Sequence, residues 1–135
     1  MNIINLISGP RNLSTALMYS FAQRPDTIVI DEPFYAHYLI STNIDHPSRE
    51  ETINSMPSDI NKVLEFIDSK KNYEIVFLKN MAHHHMNMDL SLLKKMTNLF
   101  LIRNPKQLIA SFAQVIPNPT INDIGLQKSW ELFEY

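Results

Sequence analysis

Four short apolar runs alternate with stretches of helical periodicity, and this alternation constrains the chain more than any other feature. The runs are Ile3–Ile7, Thr27–Ile30, Tyr73–Lys79 and Asn98–Ile102. Each is short, apolar and bounded by turn-forming or charged residues, which reads as a buried strand. Between them, Ser14 opens a stretch with Ala16, Leu17, Tyr19 and Phe21 at roughly helical spacing. Asp59–Lys70 places Ile60, Val63, Leu64 and Ile67 on one face of a helix. Strands alternating with helices predict an α/β fold, a parallel β-sheet flanked by helices with right-handed crossovers. Ligands of such sheets collect beyond the C-terminal ends of the strands. The strand exits here are Ser8–Arg11, Asp31–Glu32, Lys79 through His85, and Arg103. Most of the chemistry-bearing side chains therefore fall on one predicted edge.

Local punctuation fills in the rest. Pro33 removes a ladder donor after the second strand and biases Glu32 toward an extended shape. Phe34–Ile40 reads as a short helix or a wall, and Asn43–Pro47 as a polar loop. Ser48-Arg49-Glu50-Glu51 fits a capping box, with Met56-Pro57-Ser58 interrupting the helix it starts. Ser91–Met96 predicts a short helix, Pro105 suits the first turn of a helix running to about Val115, and Ile116–Thr120 reads as a loop. Gln127–Tyr135 reads as a helix that stops without a cap, which predicts that a C-terminal portion is lacking.

Composition narrows the function classes. A length of 135 residues predicts one domain, and 44% apolar with 19% charged residues suits a soluble globular protein. A net charge of −2 gives no general attraction to nucleic acid, so an anion site has to be local. No apolar run reaches the roughly 20 residues of a membrane span. Without cysteine there is no disulfide or thiol chemistry, and without a signal-peptide layout the cytoplasm is the default expectation.

The stretch NIINLISGPRNLSTALMYSF combines strand, tight turn and helix start. The first N–H groups of a helix lack internal partners, and the helix dipole adds positive potential there. Arg11 adds a full charge with five donors. The Walker pattern is absent: one glycine, Gly9, is present, Leu13 stands before Ser14, and the loop has no lysine. From the residues alone, this is either an anion trap or an ordinary βα turn capped by Ser14. A second signal pairs Arg103, at a strand exit, with Ser111, about two turns into the next helix; alternatively Ser111 bonds its own helix backbone.

Both stretches resemble the P-loop sulfotransferases, in particular their bacterial and carbohydrate-modifying branches. Gly9, Pro10, Arg11, Ser14 and Thr15 match the 5'-phosphosulfate loop, with Asn12-Leu13 in place of the usual Ser-Gly. Leucine tolerates positive φ poorly, so Leu13 marks a departure from the family cradle. Phe100-Leu101-Ile102-Arg103-Asn104-Pro105-Lys106 with Ser111-Phe112 is similar to the 3'-phosphate motif, with Gln107 in place of a frequent Asp. The resemblance implies 3'-phosphoadenosine 5'-phosphosulfate as cofactor and a small-molecule or sugar hydroxyl as acceptor. Gly9, Arg11, Asn12, Ser14, Thr15, Arg103 and Ser111 would bind the cofactor. Nothing in the chain matches the family's C-terminal Arg-Lys-Gly loop.

Sulfuryl transfer resembles phosphoryl transfer, in which positioning and charge neutralisation carry most of the catalysis. Arg11 is the expected catalytic cation. Glu32, in a Glu-Pro step similar to that of some family members, is the expected base, with Asp31 and His83 as rivals. The family's catalytic histidine after Lys-Thr is not matched, because Lys79-Asn80-Met81 stands there. Lys79 would contact substrate or phosphate, or form a surface ion pair. His83-His84-His85 cannot all face one metal from a regular element, so no metal is expected; His37 and His46 read as loop or wall groups. Met81, Met86 and Met88 with Phe34, Tyr35 and Tyr38 either line an apolar acceptor pocket or pack in the core. Two other readings stay open: a kinase-like phosphotransferase using ATP and magnesium, and a sulfotransferase-like scaffold that binds without turnover.

Overall fold

In the computed structural model, which describes residues 1–115 and 117–135, four strands form one parallel sheet. They are β1 (Asn2–Ser8), β2 (Thr27–Asp31), β3 (Ile75–Met81) and β4 (Thr97–Leu101), in the spatial order β2-β3-β1-β4. The helices are α1 (Ser14–Phe21), α2 (Tyr35–Thr42), α3 (Arg49–Ser55), α4 (Ile60–Asp68), α5 (Pro105–Phe112) and α6 (Leu126–Glu134), and two 3₁₀ segments, Ala82–His85 and Leu90–Lys95, link β3 to β4. The expected helix to Val115 ends at Phe112, and of the expected loop Ile116–Thr120 the first residue lies outside the described residues.

Side chains alternate faces along a strand, so each strand feeds two cores. Leu6 and Phe77 face α1 and pack on Met18, with the Phe21 ring stacked on Phe77 at 4.2 Å between centroids. Val76 and Leu78 face the other way, onto Phe34, Val63 and Ile67. Ile7, also on that face, meets Ala82, Leu93 and Leu132. The chain thus leaves β1 toward one face and β3 toward the other. Adjacent strands whose exits diverge open a crevice between them, the usual ligand position in such sheets.

One buried patch is polar. Asn5 sits mid-strand in β1, hydrogen-bonded to Asn98 of β4 at 3.0 Å, to Asn80 of β3 at 2.9 Å, and to His85 at 3.3 Å. Buried polar groups need partners, and this ladder ties three strands to the turn after β3.

Side-chain caps start two of the helices, α4 and α5. The Asp59 carboxylate accepts from the N–H groups of Asn61 and Lys62, and Asn104 accepts from Lys106 with Pro105 in the first turn. The expected Ser48 capping box is absent. Ser48 takes φ of +61° and its side chain makes no cap bond, because left-handed geometry turns the hydroxyl away from the first-turn donors. Glu32, expected to be extended before Pro33, is instead left-handed at φ +49°. Its N–H bonds the Lys79 carbonyl at 2.7 Å and its own carbonyl accepts from Tyr35 at 2.9 Å, which offsets the local strain.

Candidate functional site

The loop between β1 and α1 is held from three directions. Gly9 cannot carry a side chain, because a Cβ there would stand 2.2 Å from the Ile124 carbonyl oxygen. The chain's other glycine, Gly125 at φ +69°, lies directly against it, with a Cβ position 3.3 Å from the Gly9 Cα. Asn12 is buried and donates to the Gly9 carbonyl at 3.2 Å. Arg11 and Leu13 both take φ of +62°. Leu13 does adopt the conformation that disfavours it, at 67% exposure, so its side chain stands in solvent rather than in the loop. It is Leu13, not Ser14, that occupies the N-cap position, and Ser14 is the buried first residue of α1. Ser8 Oγ and Asn12 Oδ1, at the root of the loop, are buried with no hydrogen-bond partner.

The two arginine stretches meet. Arg11 Nε donates to Ser111 Oγ at 3.1 Å, and an Arg103 guanidinium nitrogen donates to the Arg11 carbonyl at 3.1 Å. Residues about a hundred positions apart in the chain thus form one exposed cationic corner. Thr15 is exposed on the first turn of α1.

Beside this corner lies a cleft of about 310 Å³, lined by Pro10, Glu32, Tyr35, His46, Met81, His83, His84, Phe112 and Asp123. The Lys79 ammonium reaches its base from β3. Lys79 is 5% exposed and pairs with Glu32 Oε1 and, at 3.0 Å, with Asp31 Oδ1. Burial alone would depress this ammonium, but the hydrogen bonds and charge of Glu32, then of Asp31, outweigh it and hold its pKa above the ordinary lysine value. The Lys79 contact falls on Oε1 of Glu32, which leaves Oε2 for the cleft. Asp31 is half-exposed and does not line the cleft.

The three histidines diverge. His83 packs edge-on against Tyr38, His84 stacks on Tyr35 at 4.6 Å, and His85 meets Phe34 and Asn5. Burial lowers all three: His83 to about 4, with the His46 charge adding to the effect, and His85 to about 4. His84 falls further still, through burial and then its neighbours. All three are neutral at pH 7. Tyr35 Oη is 2.8 Å from His46 Nδ1, which makes His46 a wall group, while His37 Nδ1 lies 3.2 Å from the Ser58 carbonyl, away from the cleft. The aromatic and methionine set divides: Met81 and Tyr35 line the cleft, Phe34 and Met88 pack in the core, and Met86 is exposed.

A model of the sulfotransferase domain matches residues 1–134. The chain belongs to the sulfotransferase family. Two relatives from Arabidopsis thaliana, branched-chain-amino-acid aminotransferase-like proteins 2 and 1, are each 38% identical to it, over 93% and 92% of this chain. They are much longer: the chain spans 23% and 22% of their lengths, so their names describe proteins of which this sulfotransferase domain is a minor part. No solved structure matches the chain. Among the described residues no helix is long and apolar enough to cross a membrane.

Sequence reasoning missed Asp123 and the strap that carries it, residues 120–125. The spacing of Thr120, Asp123 and Gly125 was the available signal: the Asp123 carboxylate accepts from the Thr120 N–H at 2.7 Å and hydroxyl at 2.6 Å, and Gly125 makes the turn into α6. It also missed the Asn5–Asn98–Asn80 ladder, signalled only by an asparagine inside an apolar run.

Proposed function

We propose that this sulfotransferase domain binds 3'-phosphoadenosine 5'-phosphosulfate and directs its sulfuryl group to a small-molecule hydroxyl. The observation that carries the reading is the contact between the two arginine stretches, Arg103 on the Arg11 carbonyl and Arg11 on Ser111. A nucleotide phosphorylated at both ends of its ribose needs two anion sites within one nucleotide's reach, and these residues sit side by side. The loop also fits the group. Ser8 Oγ holds a donor in reserve, the first-turn N–H groups of α1 are without intrahelical partners, and the Gly9–Gly125 contact brings backbone close.

When bound, the nucleotide supplies an activated sulfuryl group. Arg11 and the start of α1, near Ser14 and Thr15, hold its 5' end and stabilise charge there. Arg103 and Ser111 hold the 3'-phosphate. Glu32 is the base: Lys79 fixes one carboxylate oxygen and leaves Oε2 to take the acceptor's hydroxyl proton. His83 is the weaker choice, since a group whose pKa lies near 4 has no more basicity than a carboxylate and less freedom. Asp31 faces away.

The test is calorimetric titration of 3'-phosphoadenosine 5'-phosphate into the chain. Binding is expected, and Arg103→Ala is expected to weaken it roughly tenfold to a hundredfold, the range for losing a charge-assisted contact of about 1.5–3 kcal/mol. An intact chain that does not bind the nucleotide refutes the reading. Glu32→Gln is expected to keep nucleotide binding and lose transfer.

A further inference from the structure

The walls of the cleft say what kind of alcohol it takes. Charge is divided along the strand exits. The guanidinium groups of Arg11 and Arg103 cluster with Ser111, on the nucleotide side. The acceptor side carries carboxylates: Glu32 and Asp123 both line the cleft. The Lys79 ammonium is shared between Glu32 and Asp31, so it is outnumbered by the carboxylates around it. His83 and His84 complete the wall as neutral rings. His84 is 1% exposed and its Nδ1 is buried without a hydrogen-bond partner, so a polar atom of the wall is unsatisfied by the protein itself.

Asp123 is held for this position. Both of its bonds from Thr120 fall on Oδ2, and those bonds keep its pKa below the usual carboxylate range. Such a carboxylate makes a poor base and a good fixed negative charge. It arrives on a strap whose Ile124 and Gly125 are seated on Gly9, so its place depends on the nucleotide loop and not on a free loop end. Tyr35 lines the same cleft, its ring braced by His84 stacking and by a hydrogen bond to His46. A carboxylate and an aromatic ring lining one cleft suit a compact cation.

We infer that the acceptor is a cationic amino alcohol, whose ammonium is read by Asp123 while its hydroxyl meets Glu32. The inference rests on the sulfotransferase reading of the same cleft. An acceptor bearing a carboxylate or phosphate is disfavoured, because the described residues lining the cleft include two carboxylates and no lysine or arginine.

Choline, its neutral isostere 3,3-dimethylbutan-1-ol and the anion 3-hydroxypropanoate are titrated separately into the chain, free and saturated with 3'-phosphoadenosine 5'-phosphate, at pH 8 and low salt. Choline is expected to bind about fivefold more tightly than the neutral alcohol, the effect of one partly solvated ion pair, and the anion least. Asp123→Asn is expected to erase that preference, and Asp123→Glu, which keeps the charge on the strap, to restore most of it. Equal binding of choline and its isostere, a preference for the anion, or a choline preference that survives Asp123→Asn would each overturn the inference. The free-protein titration decides the question even if the nucleotide fails to bind, and that failure by itself sinks only the donor assignment.

Discussion

The two halves of the strand-exit surface are built on opposite principles. On the proposed nucleotide side, Arg11, Arg103 and Ser111 are linked by single hydrogen bonds near solvent. On the acceptor side, Lys79, His84 and His85 are at most 5% exposed, and their ionisation is set by burial and fixed partners. Exposed cations can exchange a protein hydrogen bond for a phosphate oxygen at little cost, since surface contacts contribute at most about 1 kcal/mol. Buried groups cannot change partners without reorganising the interior. On the proposed function, adaptable charge stands where the nucleotide would arrive and fixed charge where the acceptor's proton would be taken.

The largest effect should come from the point where the halves touch. Gly9→Ala puts a methyl group 2.2 Å from the Ile124 carbonyl, where the obstacle is backbone and cannot rotate away. Either the strap carrying Asp123 lifts off or β1 shifts. A loss of at least about 3 kcal/mol in urea unfolding is expected, at the upper end for single substitutions. A variant as stable as the parent would mean that the strap is not seated on the loop.

Next comes acid. The folded chain keeps His83, His84 and His85 neutral, with pKa values below the ordinary histidine value. The unfolded chain therefore binds more protons as pH falls below about 6.5, and stability is lost in that direction down to the folded values, about 4 for His83 and His85 and lower for His84. With His84 and His85 almost fully buried, the loss between pH 6.5 and 4.5 is on the order of 3 kcal/mol. His84→Phe keeps a ring on Tyr35 and removes one titrating site, so its urea midpoint should vary less steeply with pH. An unchanged slope would mean that these rings are charged in the folded state.

Lys79→Met sharpens the comparison from the buried side. The methionine stem fills most of the lysine's space, and the loss is electrostatic. Breaking a fully buried pair costs ~3–5 kcal/mol. Here Glu32 is 21% and Asp31 52% exposed at the side chain, and both regain water. About 2 kcal/mol is expected by urea denaturation.

Much of this arrangement was legible before any coordinates. Short apolar runs ending in polar residues marked the strands and put their exits together, because a parallel sheet leaves no other choice. The order of the strands was not legible: β4 joins beyond β1 rather than beside β3, and no local signal encodes which edge a strand takes. Backbone conformation at the exits was misread where tertiary contacts override propensity. Glu32 is left-handed because the Lys79 carbonyl captures its N–H, and Leu13 is left-handed because the loop must turn into α1. The rings of the histidine triplet diverge among different partners, and their burial under Tyr35 and Tyr38 had no signature in the sequence. Asp123 was invisible because a strap is placed by what it covers, and what it covers lies over a hundred residues upstream.

The smallest expected effect is the most discriminating. Arg103→Ala deletes one exposed hydrogen bond to the Arg11 carbonyl. If the nucleotide side is adaptable, folding should barely register the change, within about 0.5 kcal/mol in urea, while nucleotide affinity falls by an order of magnitude or more. The two measurements separate the possible jobs of this arginine. A peg that holds the Arg11 loop in its left-handed shape would lower stability and binding together. A ligand contact would lower binding alone, and raising the salt concentration would narrow the gap between variant and parent, because salt screens the charge that only the parent presents. A stability loss near 2 kcal/mol would make both halves of the site structurally fixed, and the contrast between adaptable and committed charge would be gone.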